Sequence, residues 1–307
     1  MLMGKQKMVF IINPRAGMGY YKKINRLLKK HLDHSKYDYE LVLTQYQGHG
    51  HVLAVNAVEN GTDIVIAVGG DGTINEIARA LIGENILLGF IPTGSGNGFA
   101  HHLKIPAGIA RAIRVINERC TLDIDTLKIN GKACISIAGM GFDGYIAELF
   151  DKSSRRGLFP YLNFVVRSFF SYKPRSYIVE TDSGKKEYTA LLISIANSSQ
   201  WGFNVKISPE ASIQDGYADI CFVKKPSFLR LIFQAAELLT GNIHRNKSAI
   251  TIYRFSKCTI YEKDNITQPF HIDGDPKERQ SKLQVEVLPK SLKIIVPQKA
   301  LSNRIIF

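Results

Sequence analysis

Four glycine-bearing segments of the sequence carry the residue types that phosphate chemistry requires. They are NPRAG at 13–17, GGDGT at 69–73, PTGSGNG at 92–98 and IDGDP at 272–276. Glycine lets backbone N–H groups face an anion, and the dipole of a following helix adds positive potential. Thr73 and Ser95 add hydroxyl donors beside these loops. Each segment alone is better explained by a tight turn, but the four together favour a phosphate-binding site.

This site would not be one of the two common phosphate loops. The sequence contains no G-x-x-x-x-G-K followed by Ser or Thr, which excludes a P-loop. A Rossmann loop would place G-x-G-x-x-G after the first strand, where NPRAG stands instead. The phosphate-binding hypothesis therefore requires a less common arrangement of loops.

The first part of the chain alternates strand and helix patterns that would position these loops. Apolar runs predict four strands, at MVFIINP, DYELVLTQ, DIVIAVGG and ILLGFIP. Helices are predicted for MGYYKKINRLLKKHL, HVLAVNAVEN, TINEIARALI and AGIARAIRVIN, with Gly61 ending the second. Nearly continuous apolar strands separated by helices indicate a parallel sheet covered on both faces. Ligands of such sheets bind at the carboxyl ends of the strands, where the glycine segments fall.

After about residue 122 the pattern becomes β-rich. Short strand-like runs extend from CISIAGMGF to KLQVEVLP, interrupted by two helical segments, FPYLNFVVRSFFS and PSFLRLIFQAAELLTG. We therefore expect an α/β N-terminal domain over residues 1–124 and a β-rich sandwich domain over residues 125–290. Residues 291–307 are predicted as a strand and tail that return to the first domain.

Charge and cysteine content limit the partners and the compartment. The chain has 40 Lys and Arg against 27 Asp and Glu, and this net charge of +13 suits a nucleotide or the inner face of a membrane, or is merely a basic surface. No nucleic-acid-binding module is recognisable, so nucleic acid is not an expected partner. No apolar stretch is long enough to span a bilayer, and the four scattered cysteines indicate reduced thiols in a cytoplasmic protein.

Five motifs together resemble the diacylglycerol kinase catalytic-domain family. In order they are NPRAG, VGGDGTINEI, PTGSGNGFA, SPEASIQDGYADI and HIDGDP, and the resemblance runs from about residue 8 to about residue 297. That family includes bacterial lipid kinases and sphingosine and ceramide kinases, and its first domain resembles that of NAD kinases. The resemblance implies phosphoryl transfer from ATP to a lipid hydroxyl, with Mg²⁺ as the metal.

The resemblance also assigns residues to the nucleotide and the metal. The implied ATP contacts are Asn13, Pro14, Arg15, Ala16, Gly17, Thr44, Gly69, Gly70, Asp71, Gly72, Thr73, Ser95 and Asn97. Asp71 is implied to be catalytic and to hold Mg²⁺ directly or through water, since hard cations prefer oxygen ligands. Asp125 matches a carboxylate that helps to hold this ion. The alternative for Asp125 is a solvated turn aspartate.

SPEASIQDGYADI resembles a loop that holds a second, structural Mg²⁺ in bacterial members. The implied ligands are the Asp215 side chain and the backbone carbonyls of Ser212 and Tyr217. The alternative is an Asp-Gly turn between two strands, which would use the same residues.

HIDGDP departs from the family at its last acidic position. The family usually has a glutamate there, which serves as the general base in bacterial members, whereas this chain has Asp275. Asp275 is therefore implied to be the base, with a side chain one methylene shorter. The alternatives are that Asp71 or Asp273 takes this role. A second departure is QWGFN at 200–204, where many members have glycines and where Trp201 and Phe203 would narrow the acceptor cleft.

Residues 152–177 mix basic and aromatic side chains in a way that suits a lipid surface. The basic ones are Arg155, Arg156, Arg167, Lys173 and Arg175, and the aromatic ones are Phe159, Tyr161, Phe164, Phe169 and Phe170. A helix here could lie in the membrane interface, pack on the β domain, or cover an acyl-chain cavity. We expect it to line the lipid entrance of a peripheral protein at the inner membrane face. A homodimer is possible by analogy with the family.

These features predict a lipid kinase acting on diacylglycerol or a sphingoid-type lipid. PTGSGNG lacks the Asn-Asp pair usual in bacterial diacylglycerol kinases and is closer to the sphingosine-kinase loop. The alternatives are an NAD kinase-like enzyme and a non-catalytic protein that binds nucleotide or lipid.

Overall fold

A computed structural model describes residues 4–17, 19–94, 96–153, 158–182, 184–202, 205–227, 230, 237, 240, 242, 246 and 249–302. The chain forms two compact units. The first comprises Met1–Asp125 with Pro289–Phe307, and the second comprises Thr126–Leu288. Two strands, β5 (Cys120–Ile129) and β18 (Lys282–Val296), contribute residues to both units.

The first unit is an α/β layer structure. Its elements are β1 (Gln6–Ile12), α1 (Tyr21–His31), β2 (Tyr37–Leu43), α2 (His49–Glu59), β3 (Ile64–Gly69), α3 (Asp71–Leu81), β4 (Leu87–Pro92), α4 (Gly98–His102), α5 (Ile109–Glu118) and α8 (Gln298–Ser302). The strands are parallel in the order β2-β1-β3-β4, and Ile294 of β18 pairs with Leu88 of β4. All residues of β3 and β4 are buried, as expected for strands covered by helices on both faces.

The second unit is a sandwich of antiparallel strands. Besides the end of β5 and the first part of β18, it contains β6 (Lys132–Cys134), β7 (Ile137–Gly141), α6 (Phe142–Asp151), α7 (Leu158–Phe169), β8 (Arg175–Thr181), β9 (Gly184–Ala190), β10 (Leu192–Ala196), β11 (Gln200–Gly202), β12 (Val205–Lys206), β13 (Ala218–Val223), β14 (Ile250–Phe255), β15 (Lys257–Glu262), β16 (Gln268–Ile272) and β17 (Asp275–Gln280). One sheet has the order β14-β13-β10-β7-β16-β17. In the other layer β15 lies between β8 and β18, and β9 pairs with β8.

A shared core holds these two layers together. Met140, Ile195 and Phe270 from the first sheet pack in one buried cluster with Val179 and Ile260 from the second layer. Removing this much apolar surface from water is the main favourable term in the folding of such a sandwich.

The predicted fold class is confirmed: a parallel α/β unit precedes an antiparallel β-sandwich. Three of the described helices were not predicted, and one of them is α8, in the segment predicted as a strand and tail. The five-residue α4 follows the third glycine segment, and α6 begins at Phe142, the last residue of the run interpreted as a strand. KLQVEVLP and the next predicted strand are one continuous strand, β18. Most of the helix predicted for PSFLRLIFQAAELLTG lies outside the described residues.

Candidate functional site

The strand ends of the first unit bring three glycine segments to one edge of the sheet. Beyond the strands themselves, Asn13 N–H donates to Val68 O (2.9 Å), Thr44 N–H to Ile12 O (2.9 Å) and Thr93 N–H to Gly69 O (2.8 Å). These bonds continue the parallel pairing past each strand end. The loops after β1, β3 and β4 therefore begin side by side.

The same three loops contact one another through the main chain. A Cβ atom on Gly94 would lie 2.5 Å from Gly70 Cα, and one on Gly17 would lie 2.6 Å from Thr93 O. Gly17 also has a φ of +69°, which favours glycine. Asn13 Nδ2 donates to Thr73 Oγ1 at 3.0 Å, so the first loop is tied to the second. Glycine is therefore required here for close approach of the loops.

Asp71 joins the second loop to the third. It is the first residue of α3, it is half-buried, and its Oδ1 accepts the N–H of Phe99 in α4 at 3.3 Å. Asn97 is buried in the left-handed region with a φ of +47°, and its Nδ2 donates to Gly94 O at 2.7 Å. Ser95 lies outside the described residues.

The remaining implied ATP contacts lie along this edge. Arg15 and Gly72 are exposed, and Thr44, Pro14 and Ala16 are half-exposed. Main-chain loops at a helix N-terminus suit phosphate, and a half-buried carboxylate suits Mg²⁺. The residues of this unit therefore fit a nucleoside triphosphate with its cation, although the ligand roles stay predictions.

Asp125 is not the solvated turn residue that was one of the two expectations. It lies within β5, is fully buried, and accepts the backbone N–H of Lys290 at 2.8 Å through Oδ1. The alternative of a solvated turn aspartate is therefore wrong. Lys290 has a φ of +49°, so the carboxylate holds an unusual backbone conformation in β18. The metal role of Asp125 stays a prediction, with one oxygen already engaged.

Asp215 lies in a turn before β13. Its Oδ1 accepts the N–H of Tyr217 at 3.1 Å, and its Oδ2 is 3.3 Å from Nη1 of Arg254 on β14. Gly216 has a φ of +75°, as an Asp-Gly turn requires. The turn alternative accounts for these contacts, and Arg254 supplies a positive charge where the resemblance implies Mg²⁺. Metal binding by Ser212, Asp215 and Tyr217 stays a prediction.

IDGDP forms a two-residue hairpin rather than a continuous strand. Asp273 and Gly274 have φ angles of +53° and +84° and join β16 to β17, with Ile272 paired to Asp275. This is the geometry that Asp-Gly favours in tight hairpins. Asp275 is half-buried, and its Oδ2 is 3.9 Å from Lys277 Nζ.

Asp273, the alternative base, is engaged by the main chain. Its carboxylate accepts N–H groups of Ile135 (3.2 Å), Ser136 (2.9 Å) and Ile137 (3.3 Å). It therefore anchors the hairpin to the segment that enters β7. Few lone pairs remain for a substrate proton, which leaves Asp275 as the better candidate.

A buried His-Asp pair under this hairpin was missed from the sequence. His271 Nε2 lies 3.0 Å from Asp143 Oδ2, and Gly274 N–H donates to His271 Nδ1 at 3.2 Å. Burial, the largest influence, lowers the pKa of His271, but Asp143 and then Asp273 and Asp275 raise it, and the net direction is upward. HIDGDP was recognised only for its acidic residues, and nothing in the sequence links it to Asp143.

Helix α7, which belongs to the second unit, packs with one face on a buried apolar cluster of that unit. Phe169 is buried, and Phe164 and Val165 contact the same cluster as Phe142. Val166 and Phe170 are exposed, at 56% and 60%. The packed-helix alternative thus accounts for one face. The open face is mixed, because exposed Asn163 and Arg167 lie beside the two apolar side chains. Arg155 and Arg156 lie outside the described residues, as do the side chains of Phe159 and Tyr161.

Trp201 is half-buried in the second unit. Its ring packs against the cluster around Phe142, and its Nε1 donates to Ser194 Oγ at 3.1 Å. Phe203 lies outside the described residues. Within the part of the chain that is described, no helix combines the length and apolarity needed to cross a bilayer, and no cluster of three or more His, Cys, Asp or Glu has metal-binding geometry.

Two family sequence models match the chain, and together they cover most of it. The Diacylglycerol kinase catalytic domain matches residues 7–129. The YegS C-terminal NAD kinase beta sandwich-like domain matches residues 136–296.

Among individual proteins, the "Diacylglycerol kinase" of Bacillus subtilis is 27% identical over 273 residues, covering 86% of this chain and 88% of its own. The "Probable lipid kinase YegS" of Salmonella newport is 29% identical over 244 residues, covering 77% of this chain and 79% of its own. A crystal structure of a diacylglycerol kinase from Bacillus anthracis has a TM-score of 0.74 at 21% identity, covering 97% of this chain and 99% of its own. At that identity the structure supports the fold alone.

Proposed function

Because the chain belongs to the diacylglycerol kinase catalytic-domain family and is therefore a lipid kinase, we propose that it transfers the γ-phosphoryl group of ATP to a lipid hydroxyl in a Mg²⁺-dependent reaction. The proposal that ATP is the donor rests on one observation, the contact of three glycine loops at one sheet edge. Gly70 lies close to Gly94, and Asn13 is hydrogen-bonded to Thr73. Such a main-chain surface suits phosphate oxygens.

The residues of this edge would mainly position and neutralise charge. Phosphoryl transfer has a loose transition state, so catalysis depends on alignment and on stabilising charge on the phosphoryl oxygens. Asp71 would hold Mg²⁺, which when bound neutralises the phosphate groups. The N–H groups of Gly70, Gly72 and Thr73, at the start of α3, would contact the phosphates.

Asp275 would accept the proton of the lipid hydroxyl. The engagement of Asp273 by three backbone N–H groups supports this assignment, because it removes the neighbouring competitor. The shorter side chain requires the acceptor hydroxyl, or a bridging water, to approach the hairpin more closely than a glutamate would demand.

We further propose that the protein works as a peripheral protein at an anionic membrane surface. Exposed Val166 and Phe170, with exposed Arg167 between them, would enter the interface while the opposite side of α7 stays packed. The acceptor would be diacylglycerol or a sphingoid-type lipid.

An acceptor panel tests this function. Purified protein, Mg²⁺ and labelled ATP are mixed with micelles that contain diacylglycerol, sphingosine, ceramide or phosphatidylglycerol, and NAD is tested separately. We expect one lipid to be phosphorylated and Asp71→Ala to abolish the product while the far-ultraviolet circular dichroism is retained. Phosphorylation of NAD but of no lipid would show that the protein is an NAD kinase-like enzyme. No product with any acceptor would refute the proposal.

A further inference from the structure

We propose that His271 and Asp143 form a positioning pair that holds the Asp273-Gly274-Asp275 hairpin in place through the backbone N–H of Gly274. The inference deepens the proposed function, because it concerns the hairpin that carries the candidate base. His271 and Asp143 would not touch the reacting groups. They would instead determine the position of the Asp275 carboxylate.

Three elements enclose the pair. His271 lies on β16 opposite Gly139 of β7, and Asp143 lies in the first turn of α6. A Cβ atom on Gly139 would overlap Asp143 Oδ2 and His271 Nε2, so only glycine leaves room for the two side chains. The side chains are 6% and 9% exposed. Polar groups at this depth are unfavourable without partners, and the partner of Asp143 Oδ2 is the ion-pair contact with the imidazole rather than an aligned hydrogen bond.

The helix that carries Asp143 is held tightly against β16. A Cβ atom on Gly144 would overlap the backbone of Pro269, so α6 and β16 meet at main-chain distance. Arg279 of β17 and Glu148 of α6 add a two-point ion pair, with nitrogen–oxygen distances of 3.1 and 2.9 Å. Asp143 is therefore fixed by its helix, and it fixes the imidazole in turn.

One hydrogen bond and one close ion-pair contact fix the tautomer of the neutral imidazole. Gly274 N–H donates to Nδ1, so Nδ1 must carry a lone pair, and the ring proton must lie on Nε2, facing Asp143. A second proton on Nδ1 would point at the N–H of Gly274. The hairpin bond would then break, because two donors cannot bond each other.

The charged groups around the ring come from α6, the hairpin and β17. Asp143, Asp273 and Asp275 favour the imidazolium, and burial opposes it. Lys277 is near Asp275, and Arg279 is neutralised by Glu148. Because the pKa of His271 is raised above its ordinary 6.5, protonation and loss of the Gly274 bond are expected above pH 6.5 as the pH falls.

The hairpin is held at two points, by Asp273 and by His271. Asp273 ties one side of the hairpin to residues 135–137, and His271 ties the Gly274 N–H. Loss of the second tie would let the peptide before Asp275 rotate. A displacement of about 1 Å at a reacting group can lower a rate by about 100-fold.

The decisive experiment combines kinetics and NMR on the full chain. His271→Leu removes the acceptor, and we expect kcat to fall by about 10- to 100-fold with the affinity for ATP unchanged. His271→Asn offers Oδ1 near the position of Nδ1 without titrating, so it should restore most of kcat and abolish the acid limb of the pH profile. Asp143→Asn removes the charge that raises the pKa, so the acid limb should move to lower pH. His34→Asn, an exposed histidine in the first unit, is the matched control.

The NMR arm separates this inference from the proposed function. With ¹⁵N-labelled histidine, His271 Nδ1 should resonate as an unprotonated acceptor at pH 8, and the Gly274 amide should shift as the ring titrates. If both NMR results are obtained and no acceptor is phosphorylated, the positioning role stands and only the proposed function is refuted. The positioning role is refuted, whatever the activity, by either of two results. One is a His271 proton on Nδ1, and the other is a Gly274 amide chemical shift that does not change as the ring titrates. The polar variant His271→Asn and the isosteric variant Asp143→Asn decide the matter if His271→Leu does not fold.

Discussion

Asp273 and Asp275 lie two residues apart in the hairpin but have different surroundings. Asp273 accepts three backbone N–H groups, whereas Asp275 is half-buried at the start of β17, near Lys277. An acceptor of several backbone donors stabilises the fold, and its removal leaves those donors without partners. A carboxylate at the rim of the hairpin can meet a substrate. The two residues should therefore respond differently to the same substitution.

We expect Asp275→Asn to lower kcat by about 10²- to 10⁴-fold, the usual contribution of a general base, with little change in ATP affinity. Asp275→Glu should keep measurable activity because it restores the family side chain. Asp273→Asn should instead lower the free energy of unfolding by about 1–3 kcal/mol, because one carboxylate oxygen becomes a donor. Steady-state kinetics and denaturant unfolding of the three variants measure these effects. A wild-type kcat for Asp275→Asn would show that another residue is the general base.

Arg254 and a metal ion would compete for Asp215. Without nucleotide, we expect millimolar Mg²⁺ to raise the melting temperature of the wild type only slightly, because Arg254 Nη1 lies 3.3 Å from Asp215 Oδ2. Arg254→Gln removes that charge, so Mg²⁺ should stabilise this variant more, by about 2.7 kcal/mol at 100 times its dissociation constant. Thermal unfolding of the wild type and of Arg254→Gln, with Mg²⁺ or with EDTA, measures the two stabilisations. A large loss of stability of the wild type in EDTA would instead support a structural ion at this turn.

At the scale of elements, apolar patterning predicted the first unit well and the second unit less well. Buried strands such as β3 are continuous apolar runs, and α1 shows buried Ile24 and Leu28 at helical spacing. The five-residue α4 is too short to show a period, and α6 follows β7 without a connecting loop, so both were missed.

The candidate site could be predicted only where its parts are local in sequence. The glycine loops and the acidic hairpin are contiguous motifs, so their residue types were visible. The contact of His271 with Asp143 and that of Asp125 with Lys290 join distant segments, and only the sheet pairing brings them together. Neither contact leaves a spacing pattern in the sequence.

Helix α7 provides the element-scale prediction. Val166 and Phe170 are exposed, and the Phe170 ring lies edge-on to the buried Phe169 ring with centroids 5.6 Å apart. Lys225 Nζ holds the end of the segment through the carbonyls of Phe170 (3.3 Å) and Tyr172 (2.7 Å). Replacing both exposed residues by Ala removes the ring contact of Phe170 with Phe169 but keeps Phe169 itself in the core. It should weaken vesicle binding by about 10-fold or more, since burying a Phe is worth about 1.5–3 kcal/mol.

Cosedimentation with vesicles measures this loss. Val52→Ala on α2, an exposed valine of the first unit, is the matched control and should bind as the wild type does. Equal binding by the α7 double variant would show that this face does not enter the membrane.

At the scale of the whole molecule, charge should add a second, salt-sensitive part to membrane binding. The chain carries a formal net charge of +13, and α1 contributes a face with no acidic residue, on which the exposed cations are Lys22, Lys23, Arg26, Lys29 and Lys30. Anionic lipids attract basic residues near the surface by about 1 kcal/mol each. We therefore expect stronger binding to anionic than to zwitterionic vesicles.

Salt separates this electrostatic part from the apolar part. Raising the ionic strength from about 0.1 M to about 1 M shortens the Debye length from about 10 Å to about 3 Å, so the preference for anionic vesicles should largely disappear. Lys29→Glu with Lys30→Glu should reduce the preference at low salt more than Lys185→Glu with Lys186→Glu on β9, because Lys185 already pairs with Glu180. If binding to anionic vesicles proves independent of salt, apolar insertion alone holds the protein at the surface, and the net charge serves another partner.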